Sequence, residues 1–430
     1  MKTILIAAGF VPFLVGQTTD NTQLKQVIIF GRHAVRTPNA GNAVLNNFSA
    51  LPYPNFAVPG VAVMTPNGQT NETILGGYFR LWLTQEKLLT GNDAADNAFV
   101  YFRADGAPLI IGTAQAFAAG MLPSATVNID STTGADPLFH PVDAGVAELK
   151  EEMAVAAVNG RLGGNPQALA TQYAAEIALV RSVLFHYPIG TSPTPATPAG
   201  KIDVTAAPIT VTAGNSALPV NLGGLQNIAI ALDPFIMEYA DGMAAADVAW
   251  GQLNAGGISQ VDRLYDRVLD LEFRTPYLAS VQNSNLASHI LQSMLQAATG
   301  NTMHGALGTP ADKAIVLTAS NFNITGLASL LGLEWLVPGY QADVAAPGGA
   351  LVFELRQSQT TGAFLVRAVY ITQTMDQLRN RAALTLAAPP AIAPVFIPGC
   401  STRSATFDCP LETFVRAVNR AIDPRSVDQN

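Results

Sequence analysis

Arg32, His33 and Arg36 place two guanidinium groups around one imidazole in a short stretch of chain. They follow the apolar run Val27–Phe30, whose residue types predict a strand that ends at this cluster. A guanidinium stays charged and forks towards oxyanions, while a histidine beside it serves as a nucleophile or as a general acid or base. The alternative is a basic turn that holds a histidine by chance. The close spacing and the nearby Pro38 favour the chemical interpretation.

The segment from Arg32 to Pro38 resembles the Arg-His-Gly-x-Arg-x-Pro signature of the histidine acid phosphatases, a family that includes the phytases. The resemblance extends over nearly the whole chain, because further blocks similar to those of the family follow in the same order. These blocks are Met64–Gly68, Ala114–Phe117, Asp136–Phe139, Glu238–Gly242, Arg274–Tyr277, Asn323–Leu327 and Pro347–Glu354. The resemblance implies an α/β fold of the phosphoglycerate-mutase-like (histidine phosphatase) type, with an inserted and mostly helical cap domain.

The order of the predicted elements gives the domain boundaries. Residues 17–124 and 309–430 form the α/β core domain, and residues 125–308 form the helical cap insertion. Strands that alternate with helices in the core predict a mostly parallel sheet that is covered on both faces. In the family that the chain resembles, the active site lies in the cleft between the sheet domain and the cap.

Composition excludes several classes of function. Hydrophobic residues make up 49% and charged residues 13% of the chain, which is typical of a compact globular protein. A net charge of -8 argues against nucleic acid as a partner, since nucleic-acid binding needs a basic surface. After the N-terminal segment, no apolar run is long enough to span a bilayer, so no membrane partner is expected. No cluster with metal-ligand spacing and no nucleotide-binding glycine loop occurs, so we expect neither metal nor cofactor.

Two features predict export to the cell exterior or to the lumen of the secretory pathway. Residues 1–16 read as a signal peptide, with Lys2 before an apolar run that ends at Gly16; the alternative is a buried N-terminal strand. In a secreted chain Cys400 and Cys409 are expected to form a disulfide, the alternative being two free thiols. Of three glycosylation motifs, those at Asn47 and Asn71 are predicted at the surface and that at Asn323 in the core.

The resemblance implies a two-step mechanism, and this chain matches only part of the machinery. In the family, the first histidine attacks phosphorus, and an aspartate in a later His-Asp pair protonates the leaving oxygen. Arg32, His33 and Arg36 match the first motif, and Ala34 replaces its glycine. The third arginine of the family falls on Leu109, unless a different gap brings Arg103 into the site. The His-Asp pair falls on Ser320 and Asn321.

An amide does not donate a proton to a leaving alkoxide as a carboxylic acid does, and losing a general acid typically slows a reaction by about 10²–10⁴. Asp105 and Asp312 lie near site segments in the sequence, but a turn position is the favoured interpretation of Asp105. Glu354 is predicted to be structural. The other histidines are predicted to be non-catalytic: His140, His186, His289 and His304.

The predicted substrate pocket also departs from that of a phytase, because no lysine or arginine occurs between Thr37 and Phe79. That stretch offers Phe48, Tyr53 and Phe56 instead. These rings either form the wall of an apolar pocket or pack a loop against the core.

Three functions remain open at this point. The favoured hypothesis is a repurposed, metal-free acid/base enzyme that cyclises, isomerises or dehydrates a hydrophobic small molecule carrying an anionic or carbonyl group. His33 would act with Arg32 and Arg36, and Ser320 and Asn321 would supply hydrogen bonds. The second hypothesis is a weak secreted acid phosphatase that acts through a phosphorylated His33. The third is a non-catalytic pseudophosphatase that binds a small molecule.

Overall fold

Strands occupy the core segments at which the sequence predicts them. The computed structural model describes residues 20–428. Its strands are β1 (Thr22–Arg32), β2 (Val100–Ala104), β3 (Ile209–Ala213), β4 (Val220–Gly223), β5 (Ala314–Ala319), β6 (Ala350–Ser358), β7 (Phe364–Thr372), β8 (Ala391–Val395) and β9 (Cys409–Pro410).

Helices cover this sheet and fill the predicted insertion. They are α1 (Asn42–Leu45), α2 (Pro66–Gln85), α3 (Asp93–Asp96), α4 (Pro108–Met121), α5 (Glu151–Arg161), α6 (Ala168–Gln172), α7 (Ala174–Leu184), α8 (Gly224–Ala240), α9 (Ala255–Phe273), α10 (Pro276–Thr299), α11 (Asn321–Leu331), α12 (Met375–Asn380) and α13 (Leu411–Ala421). The sequence predicts one helix over 168–185, but the structure divides it at Tyr173 into α6 and α7. Helix α8 and the β3–β4 hairpin are absent from the sequence prediction.

The central sheet is mixed, with seven strands in the order β2-β5-β1-β6-β7-β8 and β9 beside β7. Strands β2, β5 and β1 run parallel to one another, whereas β6, β7, β8 and β9 pair antiparallel with their neighbours. The prediction of a mostly parallel sheet is therefore wrong. Only residues 359–363 join β6 to β7, and so short a connection forms a hairpin and not a parallel crossover.

The buried centre of the sheet explains the apolar run Val27–Phe30. Ile28 faces a core shared with the helices of the insertion, including Phe235 of α8, while Ile29 faces α2 and packs in a cluster with Phe79. A strand buried on both faces reads as a continuous hydrophobic run, as the parallel strands of α/β proteins do. One face of the sheet and the helical insertion thus share a single hydrophobic core, and the two-domain division stays a prediction.

Features outside the sheet agree with some predictions and correct another. Cys400 and Cys409 form a disulfide with a Cα–Cα distance of 5.1 Å. Asn323 is buried as predicted, but Asn71 is also buried and donates to the carbonyl of Leu378, so its predicted surface position is wrong. The predicted signal peptide lies outside the described residues. Within residues 20–428, no helix has the length and apolar character needed to cross a membrane.

Candidate active site

The functional segments meet where the three parallel strands end. The backbone N–H of His33 donates to Ala319 at the end of β5 (2.9 Å), and that of Asp105 donates to Thr318 (3.0 Å). The loops after β1, β5 and β2 therefore lie side by side at the carboxyl edge of the sheet, where open α/β sheets bind ligands. Helices α4 and α11 begin at this edge. Their N-termini favour an anion there.

The ring of His33 is buried and held in one tautomer. Its Nδ1 lies 2.9 Å from the carbonyl oxygen of Ala34. A carbonyl only accepts, so Nδ1 carries the proton and Nε2 of the neutral ring keeps its lone pair. Burial, together with the positive charges of Arg32 and Arg36, holds the pKa of His33 well below its usual value. The imidazole is thus a neutral base or nucleophile even at acidic pH.

Arg32 offers unused hydrogen-bond donors inside the site. Its Nη1 donates to the carbonyl oxygen of Ala345 at 2.6 Å. Its Nε is buried and has no hydrogen-bond partner among the described residues. A buried guanidinium with free donors is unfavourable unless an anion satisfies it, so this arrangement suits an oxyanion.

Arg36, in contrast, is already paired. Its Nη1 and Nη2 donate to the two carboxylate oxygens of Asp233 at 2.9 Å each. Asp233 lies on α8 and also accepts from the backbone N–H of Asn39 at 2.9 Å. Burial raises the pKa of Asp233, but Arg36 outweighs it and the net pKa is lowered. Asp233 was not predicted from the sequence. Its position as a charged residue in an apolar stretch was the one feature that could have indicated a functional role.

Ala34 links the loop after β1 to the start of α4. Its backbone N–H donates to the hydroxyl of Thr113 (3.1 Å), which donates in turn to the carbonyl of Leu109 (2.8 Å). Ala34 is buried and is not among the described non-glycine residues with positive φ, so its methyl group introduces no backbone strain. Leu109 lies half-buried in the first turn of α4, close to the loop that carries His33.

Ser320 and Asn321 occupy the start of α11. The hydroxyl of Ser320, the N-cap residue, donates to Oδ1 of Asn321 at 3.1 Å. Asn321 is buried, and its Nδ2 has no hydrogen-bond partner among the described residues. These polar groups stand where the family has its His-Asp pair and supply no carboxyl group at that position.

Carboxyl groups nevertheless reach the site from α9. Asp262 and Asp266 lie one turn apart on this helix and are close enough to Arg32 to interact electrostatically. Burial raises the pKa of both groups. One carboxylate oxygen of Asp266 is buried without a hydrogen-bond partner among the described residues. Neither residue was predicted from the sequence, because nothing in the sequence placed α9 near Arg32.

A histidine–aspartate pair from other positions in the sequence lies at the same edge of the sheet. Nε2 of His140 is 2.9 Å from Oδ2 of Asp105. Arg103, the alternative third arginine of the sequence analysis, donates to both oxygens of Asp136, at 2.9 and 2.8 Å, and to Thr132. These contacts occupy its Nη2, whereas its Nε is buried and has no hydrogen-bond partner among the described residues.

Two of the predicted aromatic pocket residues, Tyr53 and Phe48, belong to one core cluster, and Phe56 belongs to another. Tyr53 is buried, donates to the carbonyl of Ala231 (2.8 Å) and stacks on Phe235. Tyr53 is therefore a core residue, and its prediction as a pocket wall is wrong. Phe48 packs partly buried against the same core. Phe56 packs beside Val35, next to the arginine–histidine loop.

Known proteins resemble the chain along its whole length. The profile of the family described as "Histidine phosphatase superfamily (branch 2)" matches residues 23–182. The phytase AppA of Escherichia coli is 25% identical, with 99% of each chain covered. The glucose-1-phosphatase of Salmonella typhimurium is 26% identical, with 94% of each covered. The solved phytase of Hafnia alvei has a TM-score of 0.82 and 29% identity and covers 95% of this chain and 99% of its own.

The relatives correct the favoured functional hypothesis. The relatives that match over nearly the full length are named as a phytase and a glucose-1-phosphatase, which release phosphate and do not cyclise, isomerise or dehydrate their substrates. The hypothesis of a repurposed acid/base enzyme is therefore wrong, and the similarity favours the phosphatase alternative instead. It gives no support to a pseudophosphatase or to a degenerate site. Residues 23–182 thus match branch 2 of the histidine phosphatase superfamily, and the chain as a whole shares the fold of the phytases.

Proposed function

We propose that the chain is a phosphomonoester hydrolase that acts through a phosphorylated His33. The observation that carries the proposal is the pairing of a neutral imidazole, whose Nε2 lone pair is free, with the buried guanidinium of Arg32, whose Nε lacks a partner. A nucleophile beside unsatisfied anion-binding donors fits phosphoryl transfer.

The reaction has two displacements at phosphorus. Nε2 of His33 attacks phosphorus while the bond from phosphorus to the ester oxygen breaks, and the departing alcohol takes up a proton. Water then attacks the phosphohistidine, the bond between phosphorus and nitrogen breaks, and inorganic phosphate leaves. The hydrogen bond from Nδ1 to Ala34 keeps the ring oriented and in the reactive tautomer through both steps.

Arg32 would hold the phosphoryl oxygens, aided by the N-termini of α4 and α11. Arg36 adds positive charge but is tied to Asp233, so its contribution is mainly to the local potential and to the shape of the loop. Leu109 and Ser320 stand where the family has further cationic donors. The phosphoryl group therefore has fewer charged partners, and catalysis is expected to be weaker than in a phytase.

The cleft suits substrates that carry a single phosphate. The Hafnia alvei phytase has been solved with myo-inositol hexakis sulphate, a molecule with many anionic groups. Here Asp233, Asp262 and Asp266 lie near the arginine cluster, and carboxylates repel additional phosphates. We infer a small phosphomonoester as the substrate class.

Export of the protein is part of the same proposal. A disulfide persists in oxidising compartments, and Cys400 and Cys409 form one. Together with the predicted N-terminal signal, this supports a location outside the cytoplasm. Expression of the full chain in a bacterium, followed by separation of periplasm and cytoplasm, tests that location.

The function is tested by phosphate release from 4-nitrophenyl phosphate and glucose 1-phosphate. The full chain should hydrolyse both, and His33→Ala should abolish turnover while leaving the melting temperature nearly unchanged. Acid-stable modification is not expected, so the intermediate is sought by rapid quench into alkali, in which phosphohistidine survives. Turnover that persists in His33→Ala would contradict the proposal. Arg32→Lys keeps the charge but loses the fork, and should weaken inhibition by inorganic phosphate about tenfold or more.

A further inference from the structure

We propose that His140, held by Asp105, is the proton donor to the leaving group in this chain. The inference rests on the proposed phosphatase function and assigns the step for which the family uses an aspartate at the position of Asn321. Asp105 acts here as a positioning residue, because it contacts the imidazole of His140 and not the substrate.

The pair has the geometry of an oriented acid. Nε2 of His140 lies 2.9 Å from Oδ2 of Asp105. The carboxylate of Asp105 accepts a hydrogen bond from Nε2–H, which leaves the other ring nitrogen, Nδ1, as the one that can donate a proton to a substrate. Asp105 is buried, and its backbone is fixed to Thr318 of β5, so the ring is held from a rigid element. The side chain of His140 is 33% exposed, which leaves it accessible to a ligand.

The pair also shares a cavity with Ser320, the residue that precedes Asn321. Asp105, His140 and Ser320 line one cavity of about 270 Å³. Strand β5 lies between β1 and β2 in the sheet, so Ser320 is flanked by His33 on one side and by Asp105 on the other. Neighbouring strands lie about 5 Å apart. His33 is not among the residues that line this cavity, so the proposal requires the ester oxygen of a substrate on His33 to point towards Ser320 and His140.

The charges around His140 favour its protonated form. The hydrogen bond that His140 donates to Asp105 raises the pKa of His140 above its usual value, burial opposes this, and the carboxylates of Asp143 and Asp136 raise it further. Asp136 is itself paired with Arg103, which tempers its effect. A cationic imidazole at mildly acidic pH is a competent general acid.

The proton balance closes over one turnover. As the bond from phosphorus to the ester oxygen breaks, the Nδ1 proton of His140 passes to that oxygen and a neutral alcohol leaves. In the second displacement the neutral His140 takes a proton from the attacking water. Phosphate is released, and both imidazoles return to their starting states.

Leaving-group dependence tests the assignment. A 4-nitrophenolate departs without protonation, whereas the alkoxide of glycerol 2-phosphate does not. His140→Gln should lower kcat for glycerol 2-phosphate by about 10²–10⁴ and that for 4-nitrophenyl phosphate by less than about tenfold. Asp105→Asn should move the basic limb of the pH profile for the alkyl substrate to lower pH, because it removes the charge that raises the pKa of His140. His304→Gln, at an exposed histidine, is the matched control and should leave both substrates unaffected.

Each other outcome overturns the assignment. Equal losses on both substrates in His140→Gln, with an unchanged melting temperature, would show that His140 binds substrate without donating a proton. A selective loss on the alkyl substrate in Asp262→Asn but not in His140→Gln would move the acid to α9. If the wild-type protein shows no turnover that depends on His33, the proposed function fails, and this inference fails with it. If only the His140→Gln result is negative, the proposed function stands.

Discussion

Asp233 binds Arg36 through both oxygens of its carboxylate. Each oxygen accepts a hydrogen bond of 2.9 Å from one terminal nitrogen of the guanidinium. Both side chains are almost fully buried, at 2% and 5% exposure. The contact joins the catalytic loop after β1 to helix α8 of the insertion, almost two hundred residues further along the chain. This one ion pair therefore ties the sheet to the helical region beside the site.

Removing the charge of Asp233 should destabilise the fold and slow catalysis together. Asp233→Asn leaves the Arg36 guanidinium buried without a counter-charge, which typically lowers the free energy of unfolding by about 3–5 kcal/mol. We expect kcat/KM to fall at least tenfold, because the loop that carries His33 loses its tie to α8. Urea denaturation and steady-state kinetics measure both effects. Arg425→Gln breaks the ion pair with Asp423 at a side chain that is 89% exposed, and serves as the control that should change neither quantity.

The acid limb of the pH profile should lie below the usual titration range of histidine. Burial, Arg32 and Arg36 lower the pKa of His33, so its imidazole stays neutral as the pH falls below about 6.5. kcat/KM for 4-nitrophenyl phosphate should therefore hold on acidification and decline only at lower pH. Arg32→Gln removes one of the positive charges and should shift that limb to higher pH. An acid limb at or above the pH of free histidine in the wild type would contradict this explanation.

Restoring an arginine at position 109 should strengthen anion binding. Leu109 lies in the first turn of α4, at the place where the family has a third arginine, and it is only half-buried, so a longer side chain has room. A charge-assisted hydrogen bond is worth about 1.5–3 kcal/mol, which corresponds to roughly ten- to a hundredfold in affinity. Leu109→Arg should lower the inhibition constant of inorganic phosphate by that factor. Leu336→Arg, at a leucine that is 69% exposed, should leave it unchanged.

The carboxyl groups of α9 should determine how well the chain accepts polyphosphorylated substrates. We expect kcat/KM for glucose 1-phosphate to exceed that for phytate. Because burial raises the pKa of Asp262 and Asp266, they ionise only above the usual range of an aspartate, and the preference should grow as the pH rises. Asp262→Asn with Asp266→Asn should reduce the ratio several-fold at neutral pH. A ratio that is independent of these residues and of pH would contradict the electrostatic argument.

Stability should fall as the pH rises from acid towards about 8. Burial raises the pKa of Glu72 to about 8. A carboxyl group with a raised pKa in the folded state stabilises fully below its unfolded pKa of about 4.5, and this contribution is lost as the pH passes through the folded value. Its carboxyl group lies against Gly348, whose N–H donates to the carbonyl of His33. Ionisation of Glu72 therefore disturbs the backbone next to the nucleophile.

Glu72→Gln should flatten the dependence of Tm on pH. The variant stays neutral at every pH, so the loss of stability between about pH 5 and pH 8 should shrink, by on the order of 2 kcal/mol. Thermal denaturation at a series of pH values measures it. Glu412→Gln, at an exposed position on α13, is the control and should leave the slope of the wild type intact. If Tm depends on pH as steeply in Glu72→Gln as in the wild type, the loss of stability comes from other buried acids.

Local pattern in the sequence determined the chemical centre and the strands that carry it. The Arg32–Arg36 motif needs only a few consecutive residues, and the apolar runs of β1, β5, β6 and β7 show burial directly, because a strand covered on both faces has no polar side. The order of the family blocks then fixed the family. These features depend on short stretches of sequence or on their order along the chain, so they can be recognised without knowing how the elements pack.

Only the tertiary structure decided which distant side chains meet. Helix α8 contains Pro234 and is apolar on most sides, so its sequence pattern does not predict a helix. Without that helix, Asp233 could not be placed beside Arg36. Tyr53 was a candidate pocket residue in the sequence, but in the structure it is buried against Phe235. From the sequence, His140 was predicted to be non-catalytic and Asp105 to lie in a turn. In the structure the two residues pair and line one cavity. Such contacts depend on how whole elements pack, and no short stretch of sequence encodes that.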